Sequence, residues 1–224
     1  MIVVVGGIKG GSGKTTVATN LAVMCATENQ DVLLIDADDQ ETASDFTVLR
    51  NESQQGRPSY TCIKLTGVAV RTETIRLSDK YETIIIDSGG RDTVSQRAAL
   101  TVANILLVPF VPRSFDVWTL DKVGHLAEEI RAINPDLKAY TFINRADPQG
   151  QDNDDAADVL KETGLLTFIN TSLGTRKAFG NAASSGLAVT ELKPKDPKAI
   201  KEIVTLFEYV FNVKITLNIE VEGK

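Results

Sequence analysis

Cysteine, histidine and tryptophan are scarce in this chain of 224 residues, which has two, one and one of them. Cys25 and Cys62 form no C-x-x-C pair, and with no export signal ahead of them they read as reduced cytoplasmic thiols. The amino terminus has no basic region and its apolar run is broken by glycines, so it does not read as a signal peptide. No segment is long and apolar enough to span a bilayer. Internal repeats and low-complexity tracts are also lacking. The lone His125 falls with Trp118, Leu120 and Leu126 on a stretch of helical spacing, and no partner motif there suggests catalysis. Positive charge is in deficit too: 24 Lys and Arg against 30 Asp and Glu leave a net charge of −6. That balance does not by itself suggest a nucleic-acid protein.

What the chain does have is a glycine-rich loop in a telling context. Lys9-Gly10-Gly11-Ser12-Gly13-Lys14-Thr15-Thr16 follows the apolar run Ile2–Val5 and precedes the Ala-rich stretch Val17–Met24, which gives strand, loop and helix in order. Such a loop aims backbone N–H groups at phosphate oxygens, at the positive end of the following helix. Lys14 is expected to reach the β- and γ-phosphates, Thr15 to complete the shell of a Mg²⁺, and Thr16 to help at the α-phosphate. The G-x-x-x-x-G-K-[ST] pattern asks for glycine at position 8, where this chain has Ile8, so the loop is a deviant form.

Two acidic motifs follow. Val32-Leu33-Leu34-Ile35 runs into Asp36-Ala37-Asp38-Asp39-Gln40, and Thr83-Ile84-Ile85-Ile86 into Asp87-Ser88-Gly89-Gly90. Carboxylates at the carboxyl ends of parallel strands lie where open α/β sheets bind ligands. Asp38 is placed to orient the attacking water, with Asp36 behind it. Asp87 is placed to hold Mg²⁺ through water, and Gly89 and Gly90 to let the backbone approach the γ-phosphate.

The order of these motifs, with Lys9 added to the loop, resembles the deviant Walker A ATPases, the superfamily of ParA partition proteins, MinD and the nitrogenase iron protein. The resemblance covers roughly residues 1 to 212 on motif order, and two departures stand out: Asp39 where proline is usual, expected to loosen that turn, and Arg113 inserted in a V-P-x-x-P-S-like segment at 108–116. It implies that Lys9 crosses a dimer interface to the nucleotide of the other subunit, so that ATP joins a homodimer. The plain alternative for Lys9 is a cation that only raises local potential. The resemblance also implies that Asn144 selects adenine, that the segment after Pro109 lies near the dimer interface, and that Glu191-Leu192-Lys193-Pro194 packs beside the base. The absence of a C-x-x-C argues against the iron-protein and cluster-carrier branches.

The expected fold is a doubly wound, mostly parallel α/β sheet of the P-loop NTPase type with helices on both faces, one domain over 1–224 with its core in 1–212. Asn51–Ser59 reads as a surface loop, and Asp152–Asp155 as a helix start. Basic residues recur at Arg176, Lys177, Lys193, Lys195, Lys198 and Lys201. The segment from Thr175 to Glu191 resembles the ParA region that contacts DNA nonspecifically, so Arg176 and Lys177 are DNA candidates. An ordinary solvated face is the alternative. The implied activity is Mg-dependent ATP hydrolysis by a cytoplasmic, nucleoid-associated homodimer. A ParB-like or cargo-adaptor protein stimulates it, and the cargo is segregated or positioned without a membrane. The phosphate loop begins close to Met1, so site-specific DNA reading is expected of that partner. A MinD-like membrane positioner and a small-molecule ligase or kinase are the other readings. The first needs a basic amphipathic tail. Here Val213, Ile215, Leu217, Ile219 and Val221 alternate with polar residues instead, the period of a half-buried edge strand over 213–222.

Overall fold

The computed structural model describes residues 1–53, 59–112, 117–147, 152–162 and 164–215, with the backbone alone at 117–119. The chain alternates strand and helix: β1 (Ile2–Val5), α1 (Lys14–Thr27), β2 (Val32–Ala37), α2 (Thr42–Ser53), β3 (Thr61–Lys64), α3 (Ala69–Leu77), β4 (Thr83–Ser88) and α4 (Val94–Leu100). It continues with β5 (Ile105–Phe110), α5 (Val117–Arg131), β6 (Lys138–Ala146), α6 (Asp152–Glu162), β7 (Thr167–Gly174), α7 (Lys177–Ala183) and α8 (Pro197–Phe211). The seven strands form one sheet in the order β3-β2-β4-β1-β5-β6-β7, every pair parallel.

Near-continuous Val, Ile and Leu runs are what a strand covered on both faces requires. Along β1, Val3 and Val5 point into a core shared with α1, α7 and α8, while Val4 points into one shared with α4, α5 and α6. In β4, Ile85 belongs to the first core, and Ile84 and Ile86 to the second. Helix α1 is buried almost all round, and Ala18, Ala22 and Ala26 keep it slim enough to lie between the sheet and α2. Asn20 fixes it from the far side, its Oδ1 accepting from the Val189 N–H at 2.8 Å.

Because all strands are parallel, their carboxyl ends share one edge. The chain turns from β1 to build β2, β3 and β4 on one side, then crosses to β5 on the other, so β1 ends at the switch point where the sheet opens a crevice.

Two expectations about the chain's outline change here. Asn51–Ser53 complete α2 rather than begin a loop, and 54–58 lie outside the described residues. At the other end, α8 stops at Asn212, which adopts the left-handed conformation at φ 52°. The next residues then fold back: the Ile215 N–H donates to Glu208 Oε1 at 2.8 Å and Ile215 packs on the first core. Residues 213–215 are therefore not a strand, and the rest of the 213–222 edge-strand expectation lies outside the described residues.

Candidate nucleotide-binding site

The loop after β1 closes on itself. Gly11 and Gly13 take φ of 74° and 89°, and Gly13 caps the start of α1. The Lys14 ammonium, buried beneath the loop, donates to the Lys9 carbonyl at 2.8 Å. Burial pulls the Lys14 pKa down, and Asp87 and Asp38 facing it oppose that drop. These three residues therefore share one space. The Lys9 ammonium has no hydrogen-bond partner among the described residues. Ile8 packs against the second core, an anchorage that glycine at this position would lack.

Each carboxylate at the sheet edge is set by a different neighbour. Asp36 is buried, its Oδ2 accepting from both the N–H and the hydroxyl of Ser44 at 2.8 Å and its Oδ1 from the Asp38 N–H at 3.3 Å. It thus clamps the start of α2 and the turn that carries Asp38. That turn was expected to loosen for want of proline. Instead it is closed by Gln40 N–H to Asp38 Oδ1 at 3.2 Å and Glu41 N–H to the Asp38 carbonyl at 3.1 Å.

Asp87 is 1 % exposed, and neither carboxylate oxygen has a hydrogen-bond partner among the described residues. Burial pushes its pKa up to about 7. The Thr15 hydroxyl and Lys14 counter part of that rise without completing a hydrogen bond, while Asp36 and Asp38 add to it. A buried, unpartnered carboxylate beside a threonine hydroxyl at a phosphate loop has the hard oxygen donors that suit Mg²⁺. Beyond Asp87 the chain passes so close to the loop that a Cβ on Gly90 would stand 2.7 Å from the Gly10 backbone. Only glycine fits there. Between the loop, Asp38 and Gly90 lies a groove of about 600 Å³, lined also by Lys14, Thr15 and Thr16.

A second groove of about 260 Å³ continues from Gly13 and Thr16 toward Leu173, Phe179 and Ile203, with Asn144 at its head. Asn144 is 7 % exposed and its Nδ2 donates to the Ser12 carbonyl at 2.6 Å. An ordinary Cβ on Gly13 would collide with that amide at 2.3 Å. Asn144 thus braces the phosphate loop while leaving the groove's apolar wall free for a base.

Ser44, Gln96 and Arg145 belong to no sequence motif with an assigned role. Gln96 Oε1 accepts from the Gly7 N–H at 3.0 Å and the Ser88 hydroxyl at 2.8 Å, tying β1 to β4. Serine and glutamine in a helix carry no motif, so only the fold could reveal them. Arg176, expected as a DNA contact, is held in a bidentate pair by Glu202, Nε–Oε2 2.9 Å and Nη2–Oε1 2.5 Å. Lys177, Lys193, Lys195, Lys198 and Lys201 are exposed around α7 and the start of α8. Glu191 pairs with Arg50. The segment 113–116 lies outside the described residues, and the side chain of Trp118 is likewise not described.

Comparison with known proteins places these features. Residues 3–189 match the family model of the CobQ/CobB/MinD/ParA nucleotide binding domain. A maintenance of carboxysome distribution protein A from Halothiobacillus neapolitanus is 23% identical over 201 residues, 89% of this chain and 91% of that one. Another from Gloeobacter kilaueensis is 28% identical over 193 residues, 85% and 84% of the two chains. Among solved structures, a Cyanothece McdA variant in complex with ATP superposes with a TM-score of 0.80 at 18% identity, covering 97% of this chain and 98% of that one.

Proposed function

This chain belongs to the CobQ/CobB/MinD/ParA family of nucleotide-binding domains, and from that membership we propose that it is a ParA-like ATPase that positions a cargo on DNA. The observation that carries the reading is that Lys14 and Asp38 line one groove at the carboxyl ends of β1 and β2, while the buried, unpartnered Asp87 at the end of β4 lies close enough to Lys14 to hold its pKa up. The relatives named for carboxysome distribution favour positioning a protein assembly over segregating a replicon.

In this mechanism the ATP phosphates lie along residues 10–16. Lys14 gives up the Lys9 carbonyl for a β- or γ-phosphate oxygen, and Asn144 and the groove beyond it take the adenine. Thr15 and Asp87 are the residues that would hold Mg²⁺, whose chemistry here is to neutralise charge on the β- and γ-oxygens. Asp38 accepts a hydrogen bond from a water aligned with the γ-phosphorus. As the water oxygen bonds to phosphorus, the bond to the β–γ bridging oxygen breaks and the water's proton leaves by way of Asp38 to the released phosphate or solvent, giving ADP and phosphate. Lys9, whose ammonium has no hydrogen-bond partner among the described residues, reaches the phosphates of a second subunit and makes ATP the joint of a homodimer. An adaptor protein bound to the cargo stimulates turnover.

Two variants separate dimerisation from hydrolysis. Lys9→Ala should weaken ATP-dependent dimerisation and abolish turnover. Asp38→Ala should dimerise with ATP yet release no phosphate. Light scattering with and without ATP, beside a phosphate-release assay, reads both. A Lys9→Ala protein with normal turnover would remove the trans-lysine role.

A further inference from the structure

We propose that Arg145 is a nucleotide-binding residue whose guanidinium grips the phosphates of the nucleotide held in its own chain, where they join the sugar. The proposal rests on the nucleotide-site reading above. Arg145 stands near the end of β6, where the register with β7 slips between Asn144 and Ala146. Its backbone takes the left-handed conformation at φ 54°, which a side chain with a Cβ adopts only at a cost.

The surroundings force that conformation. Asn144 and Ala146 on either side are buried. The Arg145 carbonyl accepts from the Thr175 hydroxyl at 2.9 Å, and the Thr175 N–H donates to the Ala146 carbonyl at 2.9 Å. Strain that the neighbours over-determine is concentrated where a side chain must be aimed.

Its aim is toward the loop. Arg145 lines the phosphate groove, the base groove and a small apolar cavity of about 110 Å³ beside Ile8 and Lys9. The border between the phosphate and base grooves is where a nucleotide's sugar passes to its first phosphate. Partner choice points the same way. Arg50, Arg76, Arg97 and Arg176 each hold a carboxylate. Arg71, Arg91, Arg131 and the exposed Arg145 hold none among the described residues, and of these Arg145 alone lines both the phosphate and the base groove. A permanently charged, forked donor left unpaired beside an anion cradle matches phosphate in geometry and charge.

The test compares the full chain with Arg145→Lys and Arg145→Gly by calorimetric titration with Mg-ATP, Mg-ADP and adenosine, and by thermal melts without nucleotide. Glycine relieves the backbone and removes the cation. It should weaken ATP and ADP by about tenfold or more, the scale of one charge-assisted hydrogen bond, leave adenosine unchanged, and keep or raise the melting temperature. Lysine should keep part of the affinity. Glycine binding ATP like the native chain overturns the proposal, and so does an equal loss for adenosine with a lower melting temperature. A native chain that binds no nucleotide overturns the site reading itself, whereas failure of the arginine alone leaves native binding intact.

Discussion

Asp87 sits where a charge is most expensive, and the site depends on keeping it there. A buried carboxylate without a partner destabilises the fold by about 1–3 kcal/mol or more relative to a neutral group, a cost that its position against Thr15 and Lys14 makes useful when a cation binds. Asp87→Asn should therefore melt at the same or a higher temperature than the native chain without ligand, and lose most of its Mg-dependent gain in ATP affinity. Paired melts and titrations with and without Mg²⁺ check it; a lower melting temperature with Mg dependence intact would assign Asp87 to structure alone. At this scale the sequence reveals whatever is written as a motif. Lys9, Lys14, Asp38 and Asp87 are legible because spacing and strand ends mark them. Arg145 is not, since a left-handed backbone is imposed by Thr175 and the strand slip and leaves no trace in a single sequence.

At the level of elements, the link between α2 and the segment before α8 is the exposed test of how this fold is closed. Arg50 stands in the last turn of α2, just before the segment read from sequence as a surface loop. In the fold its side chain is 3 % exposed, with Nη1 2.7 Å from Glu191 Oε2 and 3.0 Å from the Gly186 carbonyl. Arg50→Ala takes the cation from a mostly buried Glu191, which keeps the Ala188 N–H at 3.0 Å, and should cost about 3 kcal/mol in urea unfolding, while removing both partners should cost well under the sum of the two single changes. Additive losses would mean that the pair does not act as one unit. The same comparison explains which elements could be read in advance. The strands β1, β2 and β4 were legible because burial on both faces demands unbroken apolar runs. The turn after Asp38 was misjudged because the hydrogen bonds that close it come from its own carboxylate and from Glu41, and proline is not needed. The alternation after Val213 suggests a strand, but at 213–215, the described part of it, Glu208 captures the Ile215 amide instead.

For the whole molecule, the question is how a chain of charge −6 would hold DNA. Acidic groups gather in the nucleotide motifs and at the start of α6, where the helix dipole favours Asp152, Asp154 and Asp155. Five exposed lysines, Lys177, Lys193, Lys195, Lys198 and Lys201, lie elsewhere, around α7 and the start of α8. With Arg176 neutralised by Glu202, the proposed DNA face rests on Lys177, Lys198 and Lys201 rather than on Arg176. Two copies joined by ATP, as proposed, would double the phosphates neutralised, and because log affinity falls with log salt in proportion to that number, by about 0.9 per contact, such a dimer would gain affinity steeply at low salt. Lys177→Glu, Lys198→Glu and Lys201→Glu combined should abolish ATP-dependent binding to random-sequence duplex DNA and leave ATP affinity intact. Arg176→Glu, by contrast, should lower the melting temperature, because it sets a second carboxylate against Glu202. Anisotropy titrations at two salt concentrations read the first outcome. If the triple variant binds DNA as the native chain does, these lysines are a solvated face and any DNA contact lies on another surface of the dimer.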